Sequence, residues 1–246
     1  MDLGQQSLSS LVDDRSSKSE QQIAKMSEVH SFSGSDLDNM KILHDASDNE
    51  KVLKVFRELR TQLFDKAAGK NFVCMVTSVC PGGGASYAAR NLAAAIALDK
   101  AKTSVIVDCN FYAPTVDSLL VAEANLGLTD YLSVQEMGIE FVLYASGIKR
   151  LRIVPTGKKV GGATEKLSSS KMVGFIQELK ARYPDRYIII DSPSVGDSSA
   201  DARILAQLCD FVVVVVPYGK VSQSQVKASI EMLGPKRVAG TLFNNV

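Results

Sequence analysis

Hydrophobic and polar positions follow three regimes along this chain. Residues 1 to about 50 mix Ser, Asp, Gln and Lys with few aromatics. Such a stretch buries too little apolar surface to offset the entropy of ordering it, so a disordered Ser-rich tail is expected over 1–50. From Lys51 the pattern turns helical: Val52, Leu53, Val55, Phe56, Leu59, Leu63 and Phe64 recur at three- and four-residue spacing, and Gly69 follows as a stop. This predicts an amphipathic helix ahead of the core. Beyond it, short apolar runs alternate with helical patterns. Strands are predicted at 72–76, 104–107, 151–154, 187–190, 211–216 and 238–243, and helices at 86–98, 127–134, 167–181, 201–208 and 222–233. Runs such as Ile188-Ile189-Ile190 and Val212 to Val216 have no polar alternation. They predict one α/β domain over 51–246, with a mostly parallel sheet and helices on both faces.

Ligands of such sheets sit outside the carboxyl ends of the strands. Three segments fall there: 78–87, 108–114 and 191–201. The first runs Ser78-Val79-Cys80-Pro81-Gly82-Gly83-Gly84-Ala85-Ser86-Tyr87 between a strand and a helix. That is the layout of a P-loop, in which backbone N–H groups and a helix N-terminus cradle phosphates, so the fold is expected to be P-loop NTPase-like. Gly82, Gly83 and Gly84 let the backbone approach an anion, and a plain tight turn is the competing reading. The position that carries lysine in such loops holds Ala85. Ser86 could ligate Mg²⁺ or simply cap the helix. Tyr87 is bulky for this position and could stack on the site or block it. Asp191, after Tyr187 to Ile190, has the Walker B layout of an acid that holds Mg²⁺ or its water. Asp108, after Val105 to Val107, is a second such acid, but Asn110 is neutral where another carboxylate would help. Asp201 reads as a helix-start residue rather than a ligand. Lys100, Lys102 and Lys220 are candidate replacement cations, with solvated surface lysines the commoner reading.

The bulk numbers narrow the field. The chain has 246 residues, 46% of them apolar, enough for one sizeable domain plus a tail. A formal net charge of +1 gives no nucleic-acid footprint. The four cysteines form no CxxC pair and read as thiols of a reducing compartment. The N-terminus has no apolar signal-like segment, and no run is long enough for a membrane helix. His30 and His44 lie in the expected tail and propose no catalysis.

Together these motifs resemble the cytoplasmic bacterial tyrosine kinases of capsule and exopolysaccharide synthesis, relatives of the MinD/ParA P-loop ATPases. The resemblance covers about residues 51–246. It is carried by Phe56 to Leu63, Ser78 to Ala93, Val107-Asp108, Pro114, Gly127 to Leu132, Pro155-Thr156-Gly157, Glu165 to Met172 and Asp191-Ser192-Pro193. It implies Pro81 to Tyr87 as the ATP- or ADP-binding loop, Asp108 and Asp191 as the catalytic carboxylates, and Ser86, Asp108 and Asp191 as Mg²⁺ ligands. The chain departs from the family at several of these points. The family's Gly-Lys-Ser-Thr reads Gly84-Ala85-Ser86-Tyr87, and its Asp-x-Asp followed by Arg reads Asp108-Cys109-Asn110-Phe111-Tyr112. Its oligomerisation motif Glu-x-x-Arg-x-x-Arg begins with Lys54, ahead of Arg57 and Arg60, which puts self-association in question. Its tyrosine-rich tail has no counterpart after Tyr218. The resemblance therefore implies a degenerate, non-catalytic or weakly nucleotide-binding partner at the cytoplasmic end of a membrane polysaccharide co-polymerase. The expected location is cytoplasmic, peripheral to the inner membrane through that partner. The alternatives are an active ATP-dependent tyrosine autokinase and, less well supported, a MinD/ParA-like positioning ATPase.

Overall fold

The computed structural model of the chain describes residues 31–47, 49–158 and 162–245. The expected tail over 1–30 lies outside the described residues. Its remainder does not: the boundary drawn at residue 50 falls inside folded structure. Helix α1 (Gly34–Asn39) opens with a capping box at Ser33 and Asp36, and Leu37, Ile42 and Leu43 are buried. This segment is tied down by the Phe32 amide, which donates to the Gly147 carbonyl at 2.8 Å, and by one buried side chain of the core. Asn91 accepts from the Leu43 amide at 2.8 Å and donates to the Lys41 carbonyl at 3.0 Å. Composition misses this because three apolar anchors and one remote amide suffice to hold a polar stretch.

Helix α2 (Glu50–Ala67) is capped by Asn49 and ends where Ala68 takes a left-handed conformation. The alternating core follows: β1 (Val73–Ser78), α3 (Ala85–Ala97), β2 (Thr103–Asp108), α4 (Leu128–Ser133), β3 (Tyr144–Ala145), β4 (Leu151–Val154), α5 (Ala163–Leu167), α6 (Ser170–Arg182), β5 (Arg186–Asp191), α7 (Ser199–Gln207), β6 (Phe211–Pro217), α8 (Gln223–Leu233) and β7 (Val238–Asn244). The helix expected over 167–181 divides at Ser168 and Ser169, where Ser169 caps α6 by accepting from the Met172 amide. The sheet order is β3-β4-β2-β5-β1-β6-β7, parallel throughout except for the short β3 against β4.

Two apolar layers flank the sheet, and the strands divide their side chains between them at period two. Val73, Met75, Val212, Val214 and Val216 face α6 and α7 in one layer; Cys74, Val76, Val213 and Val215 face α2 and α3 in the other. Helix α3 lies against the sheet through alanines: Ala88, Ala89, Ala93, Ala94, Ala95 and Ala97 are all buried. Small side chains let its backbone come close, and the Ser104 hydroxyl of β2 donates to the Ala93 carbonyl at 2.8 Å. This close seat fixes the start of α3 directly above the end of β1, where the glycine loop lies.

Candidate functional site

Strands β1, β2 and β5 end side by side. Asp108 and Asp191 pair across the β2–β5 register, and Val76 pairs with Asp191 across β1–β5. The parallel ladder thus places both predicted acids at one sheet edge, next to the glycine loop. Gly83 and Gly84 are required there. A Cβ on Gly83 would lie 2.7 Å from Cβ of Ser78. Gly84 has φ +93° and its missing Cβ would overlap the Asn244 side chain, whose Nδ2 donates to the Gly83 carbonyl at 3.1 Å. Among the described residues, the amides of Gly82, Gly84, Ala85 and Ser86 carry no backbone hydrogen bond. That is a set of convergent donors at a helix N-terminus, suited to a phosphate. The loop leans on the segment after β5: Val195 donates to the Ser78 carbonyl at 2.9 Å, and Pro81 abuts Gly196.

The two acids are buried in different ways. Asp108 accepts from the amides of Asn110, Thr115 and Val116 at 3.0–3.1 Å. These amides favour its ionised form, but burial outweighs them and pushes the carboxyl up to about 6. Asp191 is fully buried, and neither carboxylate oxygen has a hydrogen-bond partner of good geometry. Burial, then the charge of Asp108, raises it well above the usual carboxylate range. The hydroxyls of Ser86 and Thr115 and the Arg90 guanidinium act the other way. Asp108 has amides to solvate its charge and Asp191 has none, so Asp191 is the harder of the two to ionise.

Two orphaned carboxylate oxygens beside a serine hydroxyl and a second carboxylate fit a hard cation. Among the described residues there is no cluster of three or more His, Cys, Asp or Glu. Mg²⁺ needs no such cluster, since it keeps several waters and draws other ligands from substrate phosphates. Asp191, Asp108 and Ser86 are the residues that would hold it here. Helix α3 is entered at Gly84 without a side-chain cap, so capping is not the role of Ser86.

Other predicted residues are placed differently. Ala85 is buried at the first turn of α3 and brings no charge. Tyr87 neither stacks on the loop nor blocks it. Its ring packs edge-on against Phe56 at 6.2 Å and belongs to the α2–α3 interface. Asn110 closes its own turn by accepting from the Ala113 amide at 3.3 Å. Asp201 is a buried tie rather than a ligand, accepting from Tyr112, Thr164 and Ser198 at 2.6–2.8 Å. Lys102 lies over Phe64 and Tyr187 at the opposite, amino end of the strands. Lys100, in the turn before β2, shares that end, which removes both as replacement cations. Lys220 follows β6 at the correct end but is exposed.

Four contributors are missed by sequence reasoning. Thr115 and Val116 belong to an irregular loop and a single 3₁₀ turn, Val116–Leu119, which leave no periodic signal. Asn244 is identified only once β7 is known to pair with β6. Arg90 has a legible signal: it stands four residues after Ser86 on the same helix face.

No family model matches the chain. It is 31% identical over 192 residues to the tyrosine-protein kinase YwqD of Bacillus subtilis, spanning 77% of this chain and 79% of that relative. It is 30% identical over 202 residues to the tyrosine-protein kinase CpsD of Streptococcus agalactiae, spanning 80% and 85%. Among solved structures, the VpsO kinase domain superposes with a TM-score of 0.68 at 25% identity, covering 82% of this chain and all of that one. MinD of Pyrococcus horikoshii, solved with Mg-ADP, superposes with a TM-score of 0.54 over 70% of this chain and 68% of its own; at 19% identity that likeness is of fold alone. With a P-loop at the end of β1, an acid at the end of β5 and relatives of this identity along most of its length, the chain belongs to the bacterial tyrosine-protein kinase family.

Proposed function

We propose that this protein is a degenerate, nucleotide-responsive member of its family. In this reading it acts as a non-catalytic or weakly nucleotide-binding cytoplasmic partner of a membrane polysaccharide co-polymerase in capsule or exopolysaccharide synthesis. The observation that carries the reading is a phosphate loop of sound geometry whose lysine position is a buried alanine. Phosphoryl transfer relies on positioning and charge stabilisation. Losing one preorganised stabilising donor costs on the order of 10²–10³ in rate. Asn110, turned into its own loop, withholds a further carboxylate from the metal. Binding is less demanding than catalysis, and the free amides and orphaned Asp191 remain suited to Mg-ADP or Mg-ATP. No helix among the described residues is long and apolar enough to cross a bilayer, so membrane attachment in this reading is through the partner.

The orphaned Asp191 also favours a second reading, an active Mg-ATP-dependent tyrosine kinase, because it keeps the metal's principal ligand. Two measurements separate them. Calorimetry with Mg-ADP and Mg-ATP on the parent and Asp191→Asn reports binding, and phosphotyrosine mass spectrometry of the protein reconstituted with its partner reports transfer. Binding without phosphotyrosine supports the first reading. Phosphotyrosine that Asp191→Asn abolishes replaces it with the second. A gene deletion that leaves polymer amount and length unchanged would remove the polysaccharide role.

A further inference from the structure

The loop lacks its own cation, and the structure holds one a single turn away. Arg90 lies four residues after Ser86, hence on the same face of α3. Helix side chains lean towards the N-terminus, so its head returns to the level of the first turn. Its Nε donates to the Ser86 carbonyl at 3.3 Å, and its Nη1 donates to the Ser118 hydroxyl at 3.1 Å. The guanidinium therefore bridges the start of α3 and the loop that delivers Thr115 and Val116 to Asp108. Among the described residues its Nη2 has no partner. Arg90 is half-exposed and its charge acts on the fully buried, unpartnered carboxylate of Asp191. A guanidinium presents five donors in a rigid fork matched to phosphate oxygens, and two contacts leave most of that fork available.

We propose that Arg90 is the phosphate-binding cation of this site, supplying from the second turn of α3 the charge that Ala85 does not. The inference rests on the reading above that the loop binds a nucleotide. The Ser118 and Ser86 contacts hold the guanidinium beside the loop, and a β- or γ-phosphate on the free amides takes the remaining donors. Such a site differs from a lysine-bearing one in geometry: the charge enters from the flank of Ser86, on the side of Asp108, rather than from the loop itself.

The test is calorimetry with Mg-ADP and Mg-ATP on the full chain, using the parent, Arg90→Ala, Arg90→Lys, Ala85→Lys and the Ala85→Lys/Arg90→Ala double variant. Circular dichroism melts confirm that each is folded. Loss of a charge-assisted hydrogen bond predicts roughly ten- to a hundredfold weaker binding by Arg90→Ala. Arg90→Lys is expected to recover part of it, and the double variant is expected to bind at least as well as the parent. A merely structural Arg90 would cost as much binding in the Ala85→Lys background as in the parent, whereas a substitute cation costs less there. Equal binding by parent and Arg90→Ala overturns the proposal and leaves the nucleotide reading intact. No binding by the folded parent, with binding gained on Ala85→Lys alone, shows that Arg90 does not substitute and overturns it. No binding by any variant overturns both. If Arg90→Ala fails to fold, the comparison of parent with Arg90→Lys decides: a charge kept without its fork should weaken phosphate binding measurably, and unchanged affinity refutes the fork.

Discussion

Replacing Asp191 by asparagine should stabilise the nucleotide-free protein at neutral pH and change the shape of its pH dependence. The reasoning starts from proton counts. A carboxyl raised in the folded state holds its proton where the unfolded chain has released it, so stability is greatest at low pH and falls as pH rises. For Asp108, raised from 3.8 to about 6, the fall occupies that window and amounts to about 3 kcal/mol at 1.36 kcal/mol per unit. Asp191 also lies well above its usual value, so it too makes stability fall as pH rises. Removing that carboxyl removes its share of the fall. The asparagine amide cannot ionise, so the variant's stability should fall less steeply and the two curves should diverge as pH rises. Urea denaturation at pH 5, 6, 6.8 and 7.5, without nucleotide, reads it directly. Millimolar Mg²⁺ should stabilise the parent more at pH 7.5 than at pH 6, because the cation takes the proton's place, and should leave the variant unmoved. Parallel parent and variant curves above pH 6 would refute the argument, for they would show that Asp191 has a partner that solvates its charge.

Three further outcomes test other parts of the structure. Gly84→Ala should cost about 1–3 kcal/mol in urea melts and weaken nucleotide binding, since a side chain at φ +93° is strained and displaces Asn244 from the loop. Asn91→Ala should cost about 1–3 kcal/mol, because it leaves the buried Leu43 amide without an acceptor, and limited proteolysis should then cut within residues 31–47. Asp201→Ala should speed hydrogen exchange in residues 110–115 and 162–166 while the β-strands stay protected, since Tyr112 and Thr164 lose their common acceptor.

The strands are the most legible part of the chain, because β1, β2, β5 and β6 are covered on both faces and show as unbroken apolar runs. Both acids are legible for the same reason: each is the first polar residue after such a run, and parallel register then brings them together. What sequence does not show is the difference between them. Only the path of residues 110–116 reveals that Asp108 is wrapped by three amides and Asp191 by none. The error at residues 31–50 has a related origin. Composition weighs a segment's own apolar content, whereas this one is held by Asn91, 48 positions from Leu43. Tyr87 is misread when loop position is given priority over helix face; three residues into α3, its ring points to α2.

Helix α2 bears on how the domain meets other molecules. In the family's Glu-x-x-Arg-x-x-Arg motif an acid and two arginines occupy one helix face, a pattern that lets copies pair through opposite charge. Here Arg60 is committed inward: its Nη1 donates to the Ala95 carbonyl at 2.8 Å, and burial lowers its pKa. Lys54 and Arg57 are exposed, and Glu50 and Glu58 lie beside them in one groove, so the face that remains carries both signs of charge. The glycine loop has undergone the opposite change, with neutral Ala85 where charge would be needed, and its cation stands at Arg90 on the flank. Both alterations act on electrostatics while leaving backbone and core in place.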